Sequence, residues 1–342
     1  MFKSKVFIIT KPGEFVFKDL NFPAVGPEEV LIKVKACGIC TTDRRIYNGD
    51  VNVLFPVIGG HEVSGEVIEV GNKIKDIEIG TKVAVDTINR CGHCYYCING
   101  LDNLCINSRE TKKIDNIYLI AGGFSEYIIA QRKQVFPIFK DINFNEAALC
   151  EPLSCCIHCI KKASLSMGSN VLIIGAGTMG ILNALVARLK GAKVVLSDPN
   201  LERRNFAKKL GFAVINSSEV PEILKKINSG LGFDAVIITA QVLTVANKAL
   251  EYIRKRGTVV LYTSMHPNKN IVIDWNKLHY SEAIITGTEG RTIEDFREGA
   301  AIISNSLIDL KSLITKTISL EEISEELSLV PEGQNQRTMV IF

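Results

Sequence analysis

Four cysteines, Cys91, Cys94, Cys97 and Cys105, fall within CGHCYYCINGLDNLC at the spacing C-x2-C-x2-C-x7-C. Three thiols at two-residue spacing and a fourth close by let one short lobe surround a single cation tetrahedrally. All-thiolate ligation with no open position suits a structural Zn2+ rather than a reactive one. Two disulfides are the other use of four thiols, and nothing in the chain points to the oxidising compartment they need. His93 lies inside the loop, but four sulfurs already complete the shell. A closed metal site names no activity; it directs the search to a second, open one.

A chain of 342 residues exceeds the usual size of a single core, so two domains are expected. Hydrophobic residues at 46% and charged residues at 23% are ordinary for a globular protein. The net charge of +3 argues against nucleic acid or an anionic membrane as partner. No apolar run approaches the roughly 18 residues of a bilayer span. The opening MFKSKVFIITKPGEF meets Lys11 and Pro12 before a signal-peptide core could form. A cytoplasmic protein with no membrane partner is the expectation, its cysteines serving as metal ligands or buried thiols.

The first third reads as β. Residues 30–36 alternate with period two, and 62–70 and 81–85 are short β-branched runs separated by Gly71-Asn72 and Gly80. Many short strands with Gly/Pro turns predict a compact β-barrel. From about Pro152 the texture changes. Residues 171–174 form an apolar run without alternation, as a parallel strand buried on both faces requires. Strands are then predicted at 193–197, 213–216, 235–239 and 258–262, with helices after GAGTMG through Lys190, at 203–210 and at 247–253. That alternation predicts a doubly wound α/β sheet. The tail, with an amphipathic 293–304 and a helix at 321–329, is expected to rejoin the first domain. The predicted division is 1–152 with 288–342, carrying the lobe 91–105, and an inserted nucleotide-binding domain at 153–287.

Gly175, Gly177 and Gly180 form GxGxxG, with Thr178 and Met179 between, directly after a predicted strand and opening a predicted helix. The first glycine permits the tight turn, the second lets the backbone approach a pyrophosphate, and the third packs helix on strand. Asp198 ends the next strand, 21 residues beyond Gly177. A carboxylate there accepts ribose hydroxyls and repels a 2′-phosphate, which favours NAD over NADP. Arg203 is placed to stack on adenine, or else lies solvated on its helix.

Upstream, CGICTTDRRIY and GGHEVSG offer Cys40, His61 and Glu62, and ALCEPLS offers Cys150 and Glu151. Cys and His with a carboxylate suit a catalytic zinc that keeps one position open. With CGIC-x-TD, GHE-x-SG, the cysteine lobe, GGFSEY at 122–127, EPLS, GAGTMG and a tail reading DLKSLIT then SLEEI, the chain resembles the zinc-dependent medium-chain dehydrogenases, the alcohol and polyol dehydrogenase family.

That resemblance implies a GroES-like β-barrel catalytic domain with a Rossmann domain, two zinc ions per chain, NAD and a homodimer or homotetramer. It makes Cys40 the thiolate and His61 the imidazole ligand, places Glu62 beside the metal, and puts Glu151 at the last protein-ligand position. Glu151 followed by Pro152 looks like the sorbitol-type branch, with Cys150 one residue out of register. Cys37 matches a frequent position that is no ligand. Asp43 would accept from the far nitrogen of His61 and fix its tautomer. Thr42 matches the hydroxyl that takes the alcohol proton, whereas Arg45 stands where the family carries a relay histidine, and arginine gives up no proton near neutrality. The proton then leaves by bulk water from the ribose or by water and Glu151. Arg44 and Arg45 could instead meet a cofactor phosphate, meet an anionic substrate group, or lie in solvent.

The activity implied is reversible oxidation of a secondary hydroxyl of a polyol or sugar derivative, in the cleft between the domains, with Ile46 and Tyr47 either lining the pocket or part of the core. L-threonine and other amino-alcohol dehydrogenases look similar, but threonine-type enzymes keep the relay histidine and carry Asp where this chain has Glu151. A non-enzymatic zinc-ribbon binding protein is the distant alternative, and the complete second site argues against it. Subunit pairing is expected through the strand at about 258–263.

Overall fold

The computed structural model describes residues 2–108, 112–139, 141–329 and 336–342. It divides into two compact units, Met1–Ser154 with Arg291–Phe342, and Cys155–Gly290.

The first unit is built on two sheets. One runs in the order Val135–Pro137, Lys82–Asp86, Glu62–Val70, Glu29–Gly38, Arg337–Ile341, Ile314–Ile318, with Tyr127–Gln131 also paired to Glu29–Gly38. The other runs Glu14–Phe22, Phe2–Lys11, Val57–Ile58, Ile117–Leu119, Lys112–Ile114. A bridge between Val6 and Ser125 and the bond from Phe7 N to Phe124 O at 2.9 Å tie the second sheet to the chain around Tyr127–Gln131. Val6, Phe7, Ile32, Val34, Val63, Phe124 and Val340 meet in one apolar core inside this barrel. Register shifts along Glu29–Gly38 at Leu31/Ile32 and Val34/Ala36 are bulges. They add the local twist that a closing sheet needs.

One row across the larger sheet sets up the chemistry. Met339 pairs with Gly38, Gly38 with Glu62, and Glu62 with Asp86. Directly paired residues project to the same face, so this row brings Glu62 and Asp86 together. Gly38 is needed in it: a Cβ there would lie 2.1 Å from Glu62 Oε2.

The second unit is a six-stranded parallel sheet in the order Ala213–Ile215, Lys193–Ser197, Asn170–Ile174, Phe233–Ile238, Ile253–Leu261, Ile284–Gly287. Numbered along the chain this is 3-2-1-4-5-6, the order of the dinucleotide-binding α/β fold. Its strands are apolar runs because both faces are covered: Val171, Leu172, Ile173, Val236 and Ile237 are fully buried.

Several sequence expectations need correction. The helix expected at 247–253 is a helix Leu243–Lys248 and a single 3-10 turn Ala249–Glu251, and Ile253 already belongs to a strand. Arg254, Lys255 and Arg256 interrupt that strand's apolar pattern and hide its start. They bulge out of the pairing, which jumps from Phe233↔Ile253 to Ala235↔Thr258. The strand Ile253–Leu261 is also interior, paired on both sides, so the sheet's edges are Ala213–Ile215 and Ile284–Gly287 and not the strand at 258–263. The helix expected at 321–329 is a 3-10 turn Leu320–Glu322 continued by a helix Ile323–Ser328. The opening hairpin Phe2–Lys11 with Glu14–Phe22, and the helix Thr41–Asn48, went unread within the β third. Among the described residues no helix is long and apolar enough to cross a membrane.

Candidate active site and metal centres

The lobe comes first because it is local. Cys91, Cys94, Cys97 and Cys105 place their sulfurs within 4.8 Å of one another. Cys91 Sγ lies 3.9 Å from Cys97 Sγ and 3.6 Å from Cys105 Sγ. Four sulfurs at zinc–sulfur distance on a tetrahedron would stand roughly 3.8 Å apart, and a disulfide would need about 2.05 Å. All four are free thiols in a cage of metal dimensions. Backbone N–H groups, chiefly those of Cys97 and Ile106, hold the Cys94 thiol down at about 6, whereas burial pushes the Cys97 thiol up to about 12. His93 turns Nδ1 to the Cys91 carbonyl at 3.0 Å and stands outside the cage.

The second set is assembled from separate elements. Cys40 caps the helix Thr41–Asn48, just past the strand Glu29–Gly38, and His61 immediately precedes the strand Glu62–Val70. Because Gly38 pairs with Glu62, Cys40, His61 and Glu62 converge with ligand atoms within 4.8 Å of one another. Glu62 is fully buried, and neither carboxylate oxygen receives a hydrogen bond. Its nearest cation is Arg337 Nη2 at 3.2 Å. Burial pushes the Glu62 carboxyl up to about 7, with Arg337 pulling it back down and Glu151 adding to the rise. A buried carboxylate without a donor, beside a thiol and an imidazole, fits a divalent cation.

Asp43 holds this corner. Its Oδ2 accepts from Cys40 N at 2.9 Å and its Oδ1 from Gly60 N at 3.1 Å, with His61 Nδ1 3.5 Å from Oδ1. Burial works against a charged His61, and Asp43 outweighs it, so the imidazole is held well above its usual range. Thr42 is exposed, its Oγ1 4.0 Å from Cys40 Sγ.

Glu151 is not gathered into the three-ligand group. It lies in the first turn of the helix Cys150–Lys162, and its Oε1 accepts a charged hydrogen bond from Arg291 Nη1. Cys150 is fully buried against Phe296 O at 3.6 Å and is pushed up by burial. Cys37 is buried too and takes no part in either cluster. Arg44 is buried in an ion pair with Glu326 at 2.6 Å, which disposes of the phosphate-contact and solvated readings for it. Arg45 is half-buried; Ile46 and Tyr47 are buried in the barrel core. Sequence reasoning missed Arg291, Arg337 and Asp86, because no local spacing announces a partner contributed from the far end of the chain.

In the second unit, Gly175 has φ +106°, the region that favours glycine. A Cβ on Gly180 would sit 1.9 Å from Gly175 O, whereas one on Gly177 would meet nothing within 4 Å. Thr178 and Met179 open the helix Thr178–Leu189 behind that open space. Asp198 is buried, with Oδ2 accepting from Ala176 N and Oδ1 from Asn200 N, both at 2.8 Å. Arg203 Nη1 lies 3.9 Å from Asp198 Oδ2. An open backbone turn at a helix N-terminus fits a pyrophosphate.

The sequence model of the alcohol dehydrogenase GroES-like domain matches residues 26–140, and that of the zinc-binding dehydrogenases matches 178–305. D-arabinitol dehydrogenase 1 of Uromyces fabae is 30% identical over 332 residues, covering 95% of this chain and 93% of the relative. The chain belongs to the zinc-dependent medium-chain dehydrogenases. The L-threonine 3-dehydrogenase of Chelativorans sp. is 32% identical over 340 residues, 96% of each chain. A Sinorhizobium meliloti protein assigned to the zinc-binding dehydrogenases and solved bound to NADP superposes with a TM-score of 0.91, at 30% identity and full coverage of both chains. The family thus joins polyol and amino-alcohol enzymes at this level of identity, and this dehydrogenase must be told apart by its site.

Proposed function

We propose that this dehydrogenase oxidises a secondary hydroxyl of a polyol or sugar derivative, reversibly, with NAD as acceptor. The observation that carries the reading is the open set Cys40, His61 and Glu62, whose buried carboxylate lacks a donor. Cys40, His61 and Glu62 would hold the catalytic zinc with Glu151 close by, and Cys91, Cys94, Cys97 and Cys105 a structural one. When bound, zinc supplies a Lewis acid to the hydroxyl and NAD supplies the hydride acceptor.

Asp43 orients His61. Thr42, exposed beside Cys40, takes the alcohol proton. Arg45 cannot pass it on, so the proton leaves through water and Glu151, which Arg291 holds in place by a charged hydrogen bond. Gly175, Gly177, Thr178, Met179 and Gly180 hold the pyrophosphate, Asp198 the ribose hydroxyls, and Arg203 borders the adenine side. The buried Asp198 carboxylate supports NAD over NADP.

The test is NADH absorbance with a panel of polyols, sugar phosphates, simple secondary alcohols and L-threonine. Turnover of a polyol class with NAD at least tenfold above L-threonine is expected. A preference for L-threonine would replace this reading by the amino-alcohol one, which the 32% identical relative favours. Equal activity with NADP would remove the ribose role of Asp198.

A further inference from the structure

The first unit buries a run of charges that neither metal set uses. Asp102 belongs to the cysteine lobe, and Arg90 immediately precedes Cys91. Arg90 Nε donates to Asp102 Oδ1 at 2.8 Å, and its Nη1 donates to Asp86 Oδ2 at 2.6 Å. The other oxygen of Asp86, Oδ1, accepts from Arg291 Nη2 at 2.8 Å. Arg291 Nη1 in turn donates to Glu151. Arg90 Nη2 also holds the Arg291 carbonyl at 2.9 Å, and Ile293 N donates to Asp102 at 3.1 Å. Asp86, Arg90, Arg291 and Glu151 are exposed by 0%, 7%, 3% and 6%.

Such a run is an expensive way to hold a fold together. Buried ion pairs contribute little beyond what an apolar filling of the same space would give, because desolvation cancels most of the attraction. What the arrangement does supply is geometry. Asp86 uses one oxygen for each guanidinium, so neither arginine can turn without the other. Asp86 also pairs across the sheet with Glu62, which puts this pivot beside the open metal set. Three carboxylates face two guanidiniums, a net charge of −1 across the run, so every cation in it is shared and none is spare.

We propose that the four-cysteine lobe positions Glu151 at the catalytic centre through Asp102, Arg90, Asp86 and Arg291. The inference rests on the proton-handling role of Glu151 proposed above and assigns the four others as positioning residues. The closed zinc lobe is then more than a staple: by fixing Asp102 and the chain at Arg90 it fixes the carboxylate some five side chains away.

The full-length, zinc-loaded protein tests this through Arg90→Met, Arg90→Lys, Glu151→Gln and the Arg90→Met/Glu151→Gln double variant, with metal content and Tm measured on each. Arg90→Met should lower kcat roughly tenfold at unchanged KM for NAD, and Arg90→Lys should recover part of it. Once Glu151 is Gln, Arg90→Met should cost no further turnover, since coupled residues are not additive. With cobalt(II) in the open site, Arg90→Met should move the visible absorption in the same sense as Glu151→Gln. Asp102→Asn is the milder variant if Arg90→Met does not fold, with the same signature expected. Losses that multiply in the double variant, or a lowered Tm with unchanged kcat and cobalt spectrum, would overturn the relay. Near-normal turnover of Glu151→Gln alone would instead overturn the reading on which it rests, so the two failures are distinct.

Discussion

Cys91, Cys94, Cys97 and Cys105 arise from one stretch of chain and close on themselves, whereas Cys40, His61 and Glu62 are brought together only when two barrel strands pair Gly38 with Glu62. The lobe's sulfurs already stand at metal spacing, and every donor it offers is a thiol. The other set mixes thiol, imidazole and carboxylate, and it sets Arg337 Nη2 3.2 Å from its buried carboxylate. A closed set of soft ligands stabilises; an open, mixed set under electrostatic tension reacts. The contrast lies in who balances the charge. In the lobe it would be the bound metal itself. At the open site it is also the protein, through Arg337 and Arg291.

The largest expected effect breaks the lobe. Cys94→Ser removes one of the four thiols proposed to hold a structural zinc, and such a metal contributes directly to folding, on the order of 10 kcal/mol in isolated zinc domains. Tm should fall sharply and bound zinc should drop from two per chain to one, while mild chelation of the unaltered protein should empty the open site first. A Cys94→Ser protein that kept its Tm and lost only turnover would reverse the roles of the two regions.

Next comes the cation that the open site keeps for itself. Arg337→Met leaves Glu62 buried without its counter-charge, a change worth about 3–5 kcal/mol when one partner of a buried pair is removed. The loss should show in urea unfolding of the metal-free protein and shrink when zinc is added, because the metal then supplies the positive charge. An equal loss with and without zinc would separate Glu62 from the metal.

How much of this could be read from the chain follows the same division. The lobe was legible because its ligands obey a local spacing, and the glycine-rich turn because GAGTMG follows an apolar strand. Parallel strands such as Asn170–Ile174 were legible as unbroken apolar runs, since both faces are covered. Arg291, Arg337 and Asp86 were not, because a buried charge chooses its partner through the fold. The strand starting at Ile253 was missed because Arg254 to Arg256 break its pattern at a bulge. The amphipathic segment 293–304 was legible from its pattern and coincides with the helix Ile293–Ser304, whose N-terminus Thr292 and Asp295 close as a capping box.

A smaller effect tests the proton route. Glu151→Gln keeps the shape and the hydrogen bond to Arg291 but removes the base, and turnover should fall by about 10²-fold, as for loss of a general base. Zinc content measured in the same sample separates a lost base from a lost metal. Near-normal turnover with full zinc would exclude Glu151 as the exit.

The smallest effect concerns Arg45, half-buried on the helix that Cys40 caps. Arginine stays charged at every working pH, so it can neither accept nor release the alcohol proton. Arg45→His introduces a group that titrates near pH 6.5 or so. Below that pH the imidazole is as cationic as the guanidinium, and the variant should match the parent. Above it the neutral imidazole can accept, and turnover should rise by a few-fold at most, because the proposed exit through Glu151 would already carry the proton. The rise should be larger in the Glu151→Gln background, where that exit is closed and the histidine is the remaining base. A gain of 10²-fold or more in the otherwise unaltered protein would mean that proton release, not the handling of charge around Glu62 and Glu151, limits this site. The open region would then be poorly tuned for the reaction proposed, and its contrast with the lobe would lose its meaning.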